Sequence, residues 1–269
     1  MGRHGWVMMM RYAKLFAVSF LALFLLSACA STPRSYAEQR LAAENNDPLE
    51  PMNRVIFNVN DFLDRLLLRP LAELYRATVP PPIRTRVAAI IKNMGEPVIM
   101  ANNILQGRMH DAGITFSRFV VNTTIGLGGM FEVANAKQGL PRQTGDFGQT
   151  LSVWGFGEGP YLVLPLVGPS TVRDAVGIAA DTMASPWQYI VAGQGGTTIR
   201  RAYFTATTIA PALSKRESAL EELDVLRAGS LDFYAQVRSM YRQYRAGQLG
   251  KPLNYILPTF DDEEDDLSP

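Results

Sequence analysis

The chain has 269 residues, with 26 Lys and Arg against 25 Asp and Glu, for a formal net charge of +1. A balance this even supplies no concentrated basic face for nucleic acid. Its single cysteine excludes an intrachain disulfide, and its two histidines leave too few ligands for most zinc sites and thiol–imidazole pairs.

The start is basic, with Arg3, Arg11 and Lys14 and no acidic residue, and an apolar run follows from Leu15 to Leu26. That run suits a signal peptide, whereas a membrane-spanning helix needs about 20 residues. Met8-Met9-Met10 offers a second start for translation. The run ends in Leu26-Ser27-Ala28-Cys29, which resembles a bacterial lipobox, where cleavage precedes the cysteine and its thiol and new amino group are acylated. An uncleaved anchor or an ordinary secretory peptide is the alternative; small residues before the cysteine favour the lipobox. Two or more acyl chains hold a protein stably on a membrane, where one holds it marginally. In diderm lipoproteins, Ala30 in place of aspartate behind the cysteine points to the outer membrane. The chain thus divides into a signal peptide (1–28), a polar lipidated tether (29–46), a body (47–250) and an acidic tail (251–269).

Within the body, Asn53 to Arg69 reads as a helix, for which Asp47 or Asn53 is a candidate cap. Val55, Val59, Phe62 and Leu66 share its apolar face, widened by Ile56, Leu63 and Leu67, with Asn60, Asp61, Asp64 and Arg65 largely opposite. Pro70 is expected to interrupt it, and Pro80-Pro81-Pro82 to form an elbow. A second helix is expected from Ile83 to Gly107, broken or kinked at Gly95-Glu96-Pro97, and a third from Asp111 to Thr124, with His110 exposed near its start. Gly126-Leu127-Gly128-Gly129 disfavours helix and permits close backbone approach.

Gln149–Trp154 and Tyr161–Leu164 lean towards strand and flank Gly155-Phe156-Gly157-Glu158-Gly159-Pro160, which predicts a hairpin with a glycine-rich tip. Further helices are expected over Thr171–Met183, around 199–213, over Lys215–Arg227, and from Ser230 as N-cap to Gly247, with Phe233, Val237, Met240 and Tyr244 on one face. The fold class is mainly α, with one glycine-rich β-hairpin.

Neither glycine-rich segment is a nucleotide fingerprint, and no G-x-x-x-x-G-K-[ST] occurs. Apolar segments mixed with glycine and aromatics, such as Leu127–Val133 and Tyr161–Val167, allow two readings. One is an ordinary core with glycine-rich loops, and the other a body partly sunk into one leaflet.

Several blocks occur together and in order: Asp47-Pro48-Leu49-Glu50 with Asn53-Arg54, Asn93, Glu96-Pro97, Asn102 and Leu105-Gln106-Gly107. Arg118-Phe119, Asn122-Thr123, Gly126-x-Gly128-Gly129 and Val133-Ala134 come next. Phe147-Gly148-x-Thr150-Leu151, Gly155-x-Gly157-x-Gly159-Pro160-Tyr161, Leu164-Pro165, Gly168, Thr171 and Arg173-Asp174 complete the pattern. On these residues the chain resembles the MlaA (VacJ) family of outer-membrane lipoproteins.

The resemblance implies a single helical, donut-like ring lying in the inner leaflet of the outer membrane, pierced by an amphipathic channel. Misplaced phospholipids would pass from the outer leaflet through it to a soluble, MlaC-like periplasmic carrier, with a trimeric porin as membrane partner. Such a protein is not an enzyme and needs no metal or cofactor beyond acyl chains on Cys29 and the lipid it moves. Gly155, Phe156, Gly157, Gly159, Pro160 and Tyr161 are the candidates to border the channel. Two rivals are a structural envelope lipoprotein without transport, and an envelope lipase using Ser152 or Ser170 with His110 and an aspartate, which lacks a G-x-S-x-G elbow.

Overall fold

Prolines and side-chain caps set where most helices begin. The structure, a computed structural model, describes residues 46–135, 139–193 and 204–250, together with 198 and 201. The signal peptide, Cys29, the tether up to residue 45 and the acidic tail lie outside the described residues. Helix α1 (Glu50–Leu63) carries a proline in its first turn and starts after Leu49 without a side-chain cap, so neither Asp47 nor Asn53 caps it. A π-turn over Asp64–Leu68 leads straight into α2 (Arg69–Thr78). Pro70 therefore does not interrupt the helical path: a proline lacks the N–H of a regular turn, and the wider turn ahead of it absorbs the defect.

Helix α3 (Pro81–Leu105) likewise runs unbroken through Gly95-Glu96-Pro97, where a break or a kink was expected. Pro97 denies the Asn93 carbonyl its helical donor, and Trp187 Nε1 donates to the adjacent Met94 carbonyl (2.7 Å), tying the helix to the segment around Trp187 at this point. After a short link, α4 (Met109–Thr124) folds back on α3, and His110 is exposed as expected. Helix α5 (Phe147–Val153) occupies a segment that reads as strand. Asp146 caps it, accepting from the Gln149 N–H (2.9 Å) and the Gln149 side chain (2.8 Å), and this local pairing overrides the β-leaning side chains.

The hairpin is consequently displaced. Its strands are β1 (Tyr161–Leu164) and β2 (Gly168–Thr171), antiparallel, with Tyr161 opposite Thr171 and Leu164 opposite Gly168. The glycine-rich segment is the loop before the hairpin, not its tip. Helices α6 (Val172–Ala184, capped by Thr171) and α7 (Pro186–Gly193) follow, then a π-turn (Thr205–Ile209) leading into α8 (Ala210–Ser218), α9 (Leu220–Gly229) and α10 (Phe233–Gln248). The single helix expected over Lys215–Arg227 is divided at Ala219. The cap of α10 is Asp232, which accepts from the Ala235 N–H, while Ser230 bonds Gln236 instead. Gly247 lies within α10, and the left-handed residue beyond it is Gly250 (φ +65°).

Helix α1 meets the hairpin through two asparagines. The Asn53 side chain donates to the Tyr161 carbonyl (3.0 Å) and accepts from the Val163 N–H (2.9 Å). Asn60 donates to the Leu164 carbonyl (2.9 Å) and accepts from the Leu166 N–H (2.9 Å). Their spacing fits both elements, because seven helical residues rise about 10.5 Å and three strand residues about 10 Å. The side-chain amides thus serve β1 as a third strand would.

This docking turns the polar face of α1 inward. Val55, Val59, Phe62, Leu66 and Leu67 are each more than half exposed, whereas Asn53 is fully buried. The same inversion recurs in α10, where Tyr234 and Arg238 are buried while Met240 and Tyr244 are exposed. Among the described residues, buried polar and charged side chains outnumber buried apolar ones. The apolar core is small: Tyr161, Val163 and Tyr234, with Ile56, Phe57 and Tyr241 against them. Its rings meet edge to face, Phe57 and Tyr234 at 5.4 Å and Tyr161 and Tyr234 at 6.3 Å.

Candidate functional site

Three buried polar nodes hold the body together. At the first, Asp47 accepts from Asn53 Nδ2 (2.8 Å), from the Tyr234 hydroxyl and from Arg238 Nη1 (2.6 Å). Arg54 binds Glu50 and Asp232 and lies over the Tyr234 ring at 4.4 Å. The Asp47-Pro48-Leu49-Glu50 block is therefore a clasp between the start of the body and α10.

At the second node, Arg245 of α10 grips two carboxylates. Nη1 and Nη2 reach Asp146 (2.7 and 3.1 Å), and Nη2 and Nε reach Asp174 (2.7 and 2.9 Å). The Tyr241 hydroxyl donates to Asp174 as well (2.6 Å), and Arg173 Nε is 3.3 Å away. Burial drives both carboxyls up, but Arg245, helped by Gln149 at Asp146 and by Tyr241 and Arg173 at Asp174, more than reverses it, leaving both below the usual aspartate range. Helices α5 and α6 cross here through Gly148 and Gly177: a Cβ on Gly177 would lie 2.5 Å from the Gly148 nitrogen. Beside this node, Asp181 accepts from Asn102 Nδ2 (2.7 Å) and the Phe147 N–H (3.0 Å).

The third node joins α3 and α4. Arg118 is buried and donates to the carbonyls of Ala134 (3.0 Å) and Leu140 (2.7 Å) and to Glu132 (2.8 Å). Its Nε lies 3.5 Å from Glu96, whose carboxyl burial pushes up further than Arg118 and Arg142 pull it down. Asn122 accepts from the Ala134 N–H (2.9 Å), and Gly129 (φ +91°) presses on Asn93 where a side chain would collide.

Between α3 and α8 lies a cavity of about 710 Å³. Its lining combines Arg84, Lys92, Arg142 and Lys215 with Glu217 and with apolar groups such as Ile91. That volume falls in the ~300–1,000 Å³ range of small-molecule sites. Cations beside apolar side chains suit an amphipathic anion. Among the described residues, no group of His, Cys, Asp and Glu is placed to hold a metal ion.

The family-pattern residues fall mainly in the three nodes and their glycine contacts, not in one pocket. Asp47, Asn53, Glu96, Asn122, Arg173 and Asp174 are buried. Of the loop candidates, Tyr161 is fully buried in the aromatic core, so it packs the fold and adds no surface. Gly155–Pro160 follows α5, leaves Phe156 exposed, and is tied at its far end by Asn46, which donates to Glu158 (2.9 Å) and the Gly159 carbonyl (2.7 Å). None of these residues lines the α3–α8 cavity. Sequence reasoning missed Arg238, Tyr241 and Arg245, although with Tyr234 they recur at helical spacing along α10. It also missed the cavity cations: Arg84 and Lys92 are two turns apart on α3, but Arg142 and Lys215 reach the cavity from distant parts of the chain.

A helical body with ion pairs inside and apolar side chains outside is arranged for a lipid surface, since soluble monomers rarely expose large apolar patches. No described helix is long and apolar enough to cross a membrane. The chain belongs to the MlaA lipoprotein family, whose model matches residues 45–248. It is 34% identical over 182 residues to the intermembrane phospholipid transport system lipoprotein MlaA of Haemophilus influenzae, covering 66% of this chain and 71% of that protein. To its namesake of Escherichia coli it is 38% identical over 164 residues, covering 60% and 63%. A Rickettsia bellii protein is 33% identical over 213 residues, covering 79% of this chain and 80% of its own. A solved structure described as the structural basis for maintenance of bacterial outer membrane lipid asymmetry matches with a TM-score of 0.64 and 33% identity, over 76% of this chain and 98% of that one. The family is one of phospholipid-transport lipoproteins and not of enzymes, so the lipase reading falls.

Proposed function

We propose that this protein takes misplaced phospholipid from the outer leaflet of the outer membrane and passes it to a soluble periplasmic carrier, maintaining lipid asymmetry. Acylated at Cys29, the body lies as a ring in the inner leaflet beside a trimeric porin. The observation that carries this reading is the inverted body, with apolar side chains outside, ion pairs inside and an amphipathic cavity between α3 and α8. A headgroup crossing hydrocarbon needs a polar path because an isolated charge there costs several kcal/mol, whereas acyl chains gain from apolar surroundings. A leaflet-seated ring meets both demands, and the affinity of the carrier gives transfer its direction.

Native mass spectrometry of the protein extracted from its own membrane is expected to find bound phospholipid and acylated Cys29 as the first residue. Lipid-free protein sinks the transport reading, and an unmodified cysteine sinks the anchor. In the same reading the Gly155–Pro160 loop, with Trp154 and Phe156 exposed, borders the lipid path and moves as lipid enters. Gly157→Pro is expected to slow clearance of outer-leaflet phospholipid severalfold without releasing the protein from the membrane. Clearance at the normal rate returns the loop to a packing role.

A further inference from the structure

We propose that the α3–α8 cavity is a phosphate-recognition station that favours anionic diacyl phospholipids over zwitterionic ones, an inference that rests on the transport reading above. Four cationic side chains, Arg84, Lys92, Arg142 and Lys215, line it against the single carboxylate of Glu217. Glu217 is already shared, since Arg84 Nη1 donates to it and Arg76 Nε lies 3.4 Å away. The buried Arg84 Nε has no hydrogen-bond partner among the described residues. The only carboxylate among the described residues in ion-pair range of Arg142 is Glu96, at 4.0 Å, and Arg118 approaches Glu96 more closely. Among the described residues, neither Lys92 nor Lys215 has a carboxylate within 4.0 Å. The lining thus carries net positive charge with donors unused, which is the complement of a phosphodiester.

Apolar side chains in the same cavity, Ile91 among them, mark the source of that phosphate as a lipid and not a free ion. An ethanolamine headgroup brings its own ammonium, which competes for the phosphate and is repelled by the cluster. A glycerol headgroup leaves the phosphate charge uncompensated. Two exposed charge contacts of this kind supply about a threefold to tenfold preference.

The test offers the full lipidated protein, in detergent, equimolar phosphatidylglycerol and phosphatidylethanolamine of matched chains and reads the bound lipids by native mass spectrometry. Phosphatidylglycerol adducts are expected to dominate by about threefold to tenfold. Lys92→Gln combined with Lys215→Gln should bring the ratio towards parity, while Lys92→Arg with Lys215→Arg keeps it. Both lysines are exposed, so a thermal melt matching wild type is expected for either pair. Equal adducts on the wild-type protein, or an undiminished ratio in the glutamine pair, overturns the proposal and leaves the transport reading standing. Displacement of lipid by inorganic phosphate at tenfold excess makes the site one for free anions and also overturns it. Protein that binds neither lipid overturns both readings together.

Discussion

Arg245→Ala is expected to destabilise the detergent-solubilised protein by about 3–5 kcal/mol, because breaking a buried ion pair strands the remaining charge. Here the stranded charges are two, Asp146 and Asp174, along with the Tyr241 hydroxyl hydrogen-bonded to Asp174. For a body of this size the loss corresponds to a fall in Tm of about 6–20 °C. Arg245→Lys should recover only part of it, since an ammonium cannot serve two carboxylates with the planar fork of a guanidinium.

The pH dependence gives a second readout. Both aspartates sit below their ordinary value of about 3.9 in the folded protein. Their contribution is therefore full above that pH and is lost as pH falls through the depressed folded values. Removing Arg245 takes away the largest cause that offsets burial, so both carboxyls rise relative to wild type and protonation relieves the variant. The Tm gap between wild type and Arg245→Ala should narrow between pH 7 and pH 4. A gap that stays constant, or a drop below 3 °C at pH 7, removes the clamp from the account.

Helical periodicity was legible in the sequence, but not which way each stripe faces. Val55, Val59 and Phe62 of α1 and Leu66 of the π-turn after it share the spacing of one stripe, yet all four are exposed. Spacing says which residues lie together; it is silent on whether they meet protein or lipid. The inward partner of α1 is a strand more than 100 residues later, reached through Asn53 and Asn60. Distance along the chain hid the nodes for the same reason: Asp47 and Arg238 are 191 residues apart, and Asp174 and Arg245 are 71 apart. Local competition hid α5. The signal was present, since Asp146 and Gln149 have the spacing of a reciprocal cap, but the β-leaning side chains of Leu151–Trp154 drew the segment towards strand. Pro70 shows the reverse error, and Pro97 does not break its helix either, because a proline is a boundary only when the surrounding packing does not hold the helix on both sides.

Phe62→Glu combined with Leu66→Glu is expected to abolish most membrane binding by the unacylated body, produced from residue 30 onward, while leaving its helix content intact. Phe62 of α1 is 61% exposed and Leu66 of the π-turn that continues it 55%, four residues apart on the outer side. The exposed apolar side chains continue through Leu71 and Leu74 of α2. If that band lies in hydrocarbon, each carboxylate costs about 2.5–3.5 kcal/mol at depth and about 1 kcal/mol or less near the interface. Two such charges weaken partition by up to roughly 30-fold near the interface and by roughly several thousand-fold or more at depth. On a water-facing helix the same exchange lies within about 0.5 kcal/mol, because no buried contact is lost. Flotation with phospholipid vesicles separates the two cases without the acyl anchor masking the result. Circular dichroism on the same samples checks that α1 remains folded on its Asn53 and Asn60 contacts. A glutamate pair that floats like the unaltered body makes the stripe a water-exposed surface, and the leaflet-seated ring loses its main physical support.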